Sequence, residues 1–190
     1  MKGVYGKAGS IDFHDNWRNY KNFSGGGILL DQGIHMLDMI NLFVDEIVEV
    51  KSMISNLFWK KDIEDNAFAL MRTNSGKIIS IHSSATQWKH KFLLEMTFED
   101  GYINLDGLLS STKSYAPETL VVGRREFEDV TFAMGKPQET VIWFENDDSW
   151  EIEVNDFADA IMSNTKIKTG TITDAMNALQ CVEDIYNYGK

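Results

Sequence analysis

From Ile47 to Val122 the chain is a succession of short alternating segments, each folded back by turn-forming residues, and this confines it to a meandering antiparallel sheet. Ile47–Ser55 sets Val48, Val50 and Ile54 against Glu49, Lys51 and Ser55. Asn66–Thr73 and Lys77–Ser84 flank the turn Asn74-Ser75-Gly76, and Phe92–Phe98 and Tyr102–Leu105 flank Glu99-Asp100-Gly101. A further short strand is predicted over Thr119–Val122, and 124–148 reads as irregular with pieces of edge strand. Helical periodicity brackets these strands. Residues 28–44 repeat Leu30, Ile34, Leu37 and Asn41 at helical spacing, Trp150–Met162 groups Ile152, Phe157, Ala160 and Ile161, and Thr173–Tyr186 groups Ala175, Met176, Leu179, Val182 and Tyr186. Gly3–Gly9 reads as a strand running into a loop, and 12–24 as a polar, aromatic loop. The expected fold is α+β: an open, predominantly antiparallel sheet with helices packed on one face.

Segments such as FALMRT and FLLEMTF carry bulky residues at both parities. Helices for only one face leave the other to a partner surface, most simply a second copy, so a homodimer or homotetramer through the sheet face is expected. With 190 residues and 43% hydrophobic content the chain suits one domain with a proper core. No run of 18 apolar residues marks a membrane span, and no charged-then-apolar start reads as a signal peptide. A single cysteine, Cys181, excludes an intramolecular disulfide and fits a cytoplasmic protein. The net charge of −11 disfavours nucleic acid and anionic lipid as partners.

None of the 14 glycines belongs to a G-x-G-x-x-G fingerprint, and no phosphate-binding G-x-x-x-x-G-K-[ST] occurs. Gly25-Gly26-Gly27 precedes a helix without following an apolar strand, so it serves either as an anion-binding loop or as a permissive start to that helix. Asp31 and His35, four apart, share a helix face, with Asp38 a turn further on. A carboxylate beside an imidazole can do acid–base chemistry, while the same spacing also suits an ordinary solvated face. One histidine with two carboxylates is a poor metal signature, and no metal site is expected. His14 lies among Asp12, Asp15 and Asn16; His82 sits within a strand and His90 within Lys89-His90-Lys91, both suited to structural roles. Ser83-Ser84 lacks the context of a nucleophile, and Cys181 falls on the apolar side of the last helix. Trp17-Arg18 pairs a stacking face with a rigid donor fork.

The stretch Gly25-Gly26-Gly27-Ile28-Leu29-Leu30-Asp31-Gln32-Gly33-Ile34-His35-Met36-Leu37-Asp38 resembles the G-G-G-x-L-x-D-x-G-x-H-x-x-D signature of the Gfo/Idh/MocA family of NAD(P)-dependent oxidoreductases. The order of Trp17-Arg18, the hairpins, Asp156-Phe157…Ala160-Ile161 and the final helix after Gly170 fits the same pattern over essentially all 190 residues. The resemblance implies that residues 1–190 are a C-terminal, substrate-binding and oligomerisation domain. The family's Rossmann domain and its Glu-Lys-Pro lysine do not occur in this sequence. By the resemblance, His35 is the acid/base toward a sugar or cyclitol hydroxyl, activated or amino sugars included, and Asp31 orients that hydroxyl. Lys21 joins Asp31 and His35 in binding substrate, while Trp17 and Arg18 reach the cofactor, NAD or NADP, held mainly by the missing domain. The whole protein is then a dehydrogenase and this chain alone inactive. The alternative is a stand-alone carbohydrate-binding or dimerisation module without chemistry.

Overall fold

The computed structural model describes residues 1–7, 16–129, 132–133 and 137–188. His14 and its acidic neighbours therefore lie outside the described residues. The described residues form ten strands: β1 (Lys2–Gly6), β2 (Ile47–Ser55), β3 (Asn66–Thr73), β4 (Ile78–Ser84), β5 (Lys91–Phe98), β6 (Gly101–Leu108), β7 (Tyr115–Arg124), β8 (Phe127–Asp129), β9 (Phe132–Ala133) and β10 (Glu139–Phe144). Eight of them form one open sheet in the order β10-β7-β6-β5-β1-β4-β3-β2, and β8 and β9 form a separate ribbon. Every neighbouring pair in the sheet is antiparallel except β1 and β4, because β1 arrives from outside the meander and inserts between β5 and β4. The fold class is α+β, as the hairpin pattern predicts.

The helical elements are a 3-10 turn at Trp17–Asn19, α1 (Lys21–Ser24), a π-helical turn at Leu29–Gly33 continuing into α2 (Ile34–Asn41), α3 (Ser149–Met162) and α4 (Ile172–Tyr188). The short turns fall in a segment read from sequence as loop. Leu29, Gly33, Met36 and Ile40 face the sheet, one residue earlier than the expected stripe through Leu30, Ile34, Leu37 and Asn41. Gly33 decides this register: it lies against Ser83 of β4 so closely that a Cβ would overlap the hydroxyl. Leu37 is fully buried with this stripe, while Leu30 and Ile34 flank it half-buried.

α2 and the C-terminal half of α4 cover the sheet over β1–β4. Val182 and Ile185 share the buried core with Ala69, Met71, Ile79 and Ile81, α4 lies against β2, and the Ser52 hydroxyl donates to the Ile185 carbonyl. Alternation along β3 and β4 buries Ala67, Ala69, Met71, Ile79 and Ile81 and turns Phe68, Leu70 and His82 to the opposite face. Val48 departs from its expected place. A bulge between Ile47 and Glu49 rotates it outward, and it is exposed. Strands β6 and β7 run longer than expected, because backbone pairing carries β6 through polar Asp106, opposite Thr119, and β7 through Glu118, opposite Phe144 of β10. Part of 124–148 is a regular edge strand, β10, paired along its length with β7. The expectation that both late helices cover the sheet holds only for α4. Among the described residues α3 has no buried position, and Trp150, Val154, Phe157 and Ile161 form an exposed apolar stripe along it.

Candidate active site

The glycine run meets an anion supplied by the chain itself. Glu64, buried in the β2–β3 connection, accepts hydrogen bonds from the Gly27 and Leu29 amides (both 2.9 Å) and from the Tyr186 hydroxyl (2.8 Å). The donors that make helix starts attractive to external anions are thus consumed internally. Gly27 is required by close approach, since a Cβ there would overlap the Glu64 carbonyl. Burial and the Glu64 carboxylate push the Tyr186 hydroxyl's pKa up, so it stays a donor. Of the two readings of this loop, the structure supports the permissive helix start.

Directly after this anchor comes the π-helical turn, a local widening that recurs at functional sites, and Asp31 sits at its centre. Its half-buried carboxylate is held from two sides: Lys7 Nζ, just past the end of β1, lies 3.3 Å from Oδ2, and Arg18 Nε lies 3.4 Å from Oδ1. The Gln32 amide donates to Oδ2 at 3.4 Å and accepts from the Tyr115 hydroxyl at 3.4 Å. Asn16 and Asn19 complete the polar wall of a cavity of about 90 Å³ that Lys7, Arg18 and Asp31 line. His35, one turn along, is exposed, its ring tilted against Tyr5 at 6.4 Å between centroids. Tyr5 in turn meets Tyr115 edge-on at 5.3 Å, and Tyr115 meets His90 at 4.7 Å. A row of four rings therefore runs beside Asp31. Burial, with the Asp31 charge adding to it, raises the pKa of Tyr5 and of Tyr115, which keeps both phenols protonated donors. Burial and then Lys7 lower the pKa of His90, favouring its neutral form.

The structure gathers Asp31 and Arg18 into one constellation, with Trp17 beside them: the Arg18 guanidinium lies over the Trp17 ring at 4.8 Å. His35 is adjacent, but no hydrogen bond joins it to Asp31 among the described residues. Lys21 lies elsewhere, on a separate cleft of about 410 Å³ behind the glycine loop, lined also by Asp62, Glu64, Glu183 and Tyr186. The Lys21 amide donates to the Asp62 carboxylate there. Asp38 points to solvent. His82 stacks on Phe68 at 3.8 Å and pairs with Asn66, a structural role. Cys181 is buried with its pKa raised by that burial. Sequence reasoning missed Lys7, Tyr5, Gln32, His90 and Tyr115. Lys7 and Tyr115 come from chain segments far from the signature, and only the β1–β4 and β5–β7 pairings bring them to it.

The sequence profile of the GFO/IDH/MocA C-terminal domain matches residues 1–104. No curated protein matches the chain by sequence. Among solved structures, UDP-N-acetylglucosamine 3-dehydrogenase GnnA from Acidithiobacillus ferrooxidans is 18% identical with a TM-score of 0.73, covering 100% of this chain and 55% of that one. Levoglucosan dehydrogenase in complex with NADH and levoglucosan is 17% identical with a TM-score of 0.76, covering 99% and 55%. An aldose-aldose oxidoreductase from Caulobacter crescentus, complexed with glycerol, is 18% identical with a TM-score of 0.75, covering 100% and 53%. At these identities the likeness establishes the fold. The chain spans about half the length of these structures.

Proposed function

Because the chain belongs to the Gfo/Idh/MocA family, as its C-terminal domain, we propose that it is the substrate-binding half of an NAD(P)-dependent oxidoreductase acting on a hydroxyl of a sugar-like molecule. One observation supports this reading above the others: the Asp31 carboxylate is fixed between Lys7 and Arg18 at the mouth of a small polar cavity, with His35 exposed beside it. The solved relatives add a sugar-like substrate class, since those compared act on sugars by their descriptions.

The chain's own residues divide the work. Asp31, restrained on both oxygens, can accept a hydrogen bond from a substrate hydroxyl and fix its orientation. Lys7 and Arg18 each hold one of its oxygens, which limits how the carboxylate can turn. His35, which makes no hydrogen bond among the described residues, takes the proton of the hydroxyl being oxidised and returns it in the reverse direction. The phenols of Tyr5 and Tyr115 wall the site with edges that tolerate the C–H faces of a sugar ring. The nicotinamide cofactor, when bound, accepts the hydride. What this chain can offer that cofactor is peripheral. Trp17 is more than half exposed and Arg18 lies over it, so the pair fits an edge contact rather than a dinucleotide cradle.

The test is rate measurement in the chain joined to a dinucleotide-binding domain of the family. His35→Ala should lower kcat on the order of 10²- to 10⁴-fold with little change in KM. If kcat stayed within about threefold, His35 would not be the acid/base and the reading would fail.

A further inference from the structure

At the sheet end that carries Lys7 and Asp31, two loops display aromatic rings that the core does not use. Phe58 and Trp59 lie in the β2–β3 loop and Trp88 in the β4–β5 loop. Phe58 meets Trp59 at 5.0 Å and Trp88 at 4.9 Å, both edge to face, so the three rings form a notch. Phe58 and Trp88 are each more than half exposed, and none of the three belongs to the buried core cluster. Exposed rings gathered in one cluster offer apolar faces to a ligand that single exposed side chains do not.

The notch is built. Asp65, 2% exposed, accepts the Phe58 amide at 2.8 Å and the Trp59 amide at 3.0 Å, which shapes the first loop. Its backbone carbonyl accepts the Ala85 amide, and the Trp59 indole donates to the Ala85 carbonyl at 3.0 Å, which ties the second loop to the first. Trp88 holds φ +54, a backbone conformation that bulky residues rarely adopt and that tends to mark function. The notch also adjoins the candidate active site. Ala85 lines the cavity with Lys7 and Asp31, and Trp88 is three residues on, at most about 11 Å away along the chain.

We infer that Phe58, Trp59 and Trp88 form a stacking subsite for a second ring of the substrate, a glycosyl or nucleobase ring joined to the sugar held at Asp31. Aromatic faces stack on both ring types, and neither requires a specific hydrogen-bond pattern. The inference rests on the sugar-site reading above and specifies the substrate as larger than a monosaccharide.

Calorimetric titration of the chain with glucose, with cellobiose and with UDP-N-acetylglucosamine tests it. One of the two larger probes should bind at least about tenfold more tightly than glucose. Trp88→Ala should abolish that advantage while leaving glucose binding unchanged, and Trp88→Phe should retain most of it. Which probe gains identifies the ring as glycosyl or nucleobase. Equal affinity for all three probes, or an advantage that survives both Trp88→Ala and Phe58→Ala, would overturn the subsite. So would a change in molecular mass of Trp88→Ala by light scattering, because the notch would then be an interface between copies. Asp31→Asn separates the two readings: if it leaves glucose binding untouched while Trp88→Ala still removes the larger probe's advantage, the Asp31 site fails and the subsite stands.

Discussion

Two of the three contacts that place Asp31 come from outside its own helical turn. Lys7 reaches it from just past β1 and Arg18 from the 3-10 turn, while Gln32 is its neighbour in the turn, so its geometry is largely a tertiary property. Removing the charge has a definite consequence. Asp31→Asn leaves Lys7 and Arg18 facing each other across a site that no longer neutralises them. It should slow turnover of the assembled enzyme at least about tenfold while the far-ultraviolet spectrum stays native. Lys7→Met tests the same point from the other side and should raise KM, because a loosened carboxylate orients the hydroxyl poorly; an unchanged KM would show that Lys7 only fills space. His82 carries a separate, pH-dependent contribution. Burial and then Lys91 hold its pKa below the ordinary 6.5, so the unfolded chain binds the proton first. The stability it represents is complete above pH 6.5 and is lost as pH falls through the folded-state value. The melting temperature should therefore drop more steeply below pH 6.5 in the native chain than in His82→Gln, and parallel curves would exclude His82 as the source. Of this residue scale, the sequence made Asp31, His35 and the Trp17-Arg18 pair visible through a compact motif. It concealed Lys7 and Tyr115, because a lone lysine after a strand and a tyrosine 84 residues from Asp31 carry no local pattern.

Among the elements, the π-helical turn depends on a buried carboxylate two elements away. Glu64 satisfies two amides and a phenol at once, so Glu64→Ala strands buried donors and should destabilise the domain by about 3 kcal/mol, read from denaturant unfolding. Glu64→Gln keeps an acceptor in place and should cost less. A loss below about 0.5 kcal/mol for Glu64→Ala would mean that water replaces the carboxylate. Strand pairing was legible wherever apolar alternation met a turn signal: β2 and β3 begin and end where the alternation does. Where pairing continues through polar residues, as in β6 and β7, the alternation stops before the strand does. Helices gave the opposite lesson. α3 has an apolar stripe like that of α4, and periodicity alone cannot say whether a stripe packs within the chain or against something else. Hydrogen exchange separates the two, since α3 should exchange within seconds to minutes in this chain while amides of α2 and the second half of α4 persist.

Across the whole molecule the unresolved balance lies on the sheet's open face. Register places Met53, Phe68, His82, Val4 and Leu93 in one continuous row across β2, β3, β4, β1 and β5, and Leu70 lies in the row alongside. Phe68 and Leu70 are about half exposed, at 50% and 53%, and Met53 is 80% exposed. The neighbouring row is not uniformly apolar. Lys2 pairs with Glu95 at 2.7 Å, giving the face a charge pair that a two-fold related copy could share. An apolar row rimmed by balanced charge suits self-association better than binding of a strongly charged ligand, even though the chain as a whole carries −11. We therefore expect a dimer or larger assembly through this face at concentrations on the order of 50 µM, well above the micromolar Kd of a modest interface. Phe68→Lys combined with Leu70→Lys places two like charges per copy into that contact and should reduce the mass in light scattering to that of one chain. Because both side chains already face outward, circular dichroism and the melting transition should change little, which separates loss of association from loss of fold. A native chain that runs as a monomer at that concentration would leave the open face without a second copy as its partner.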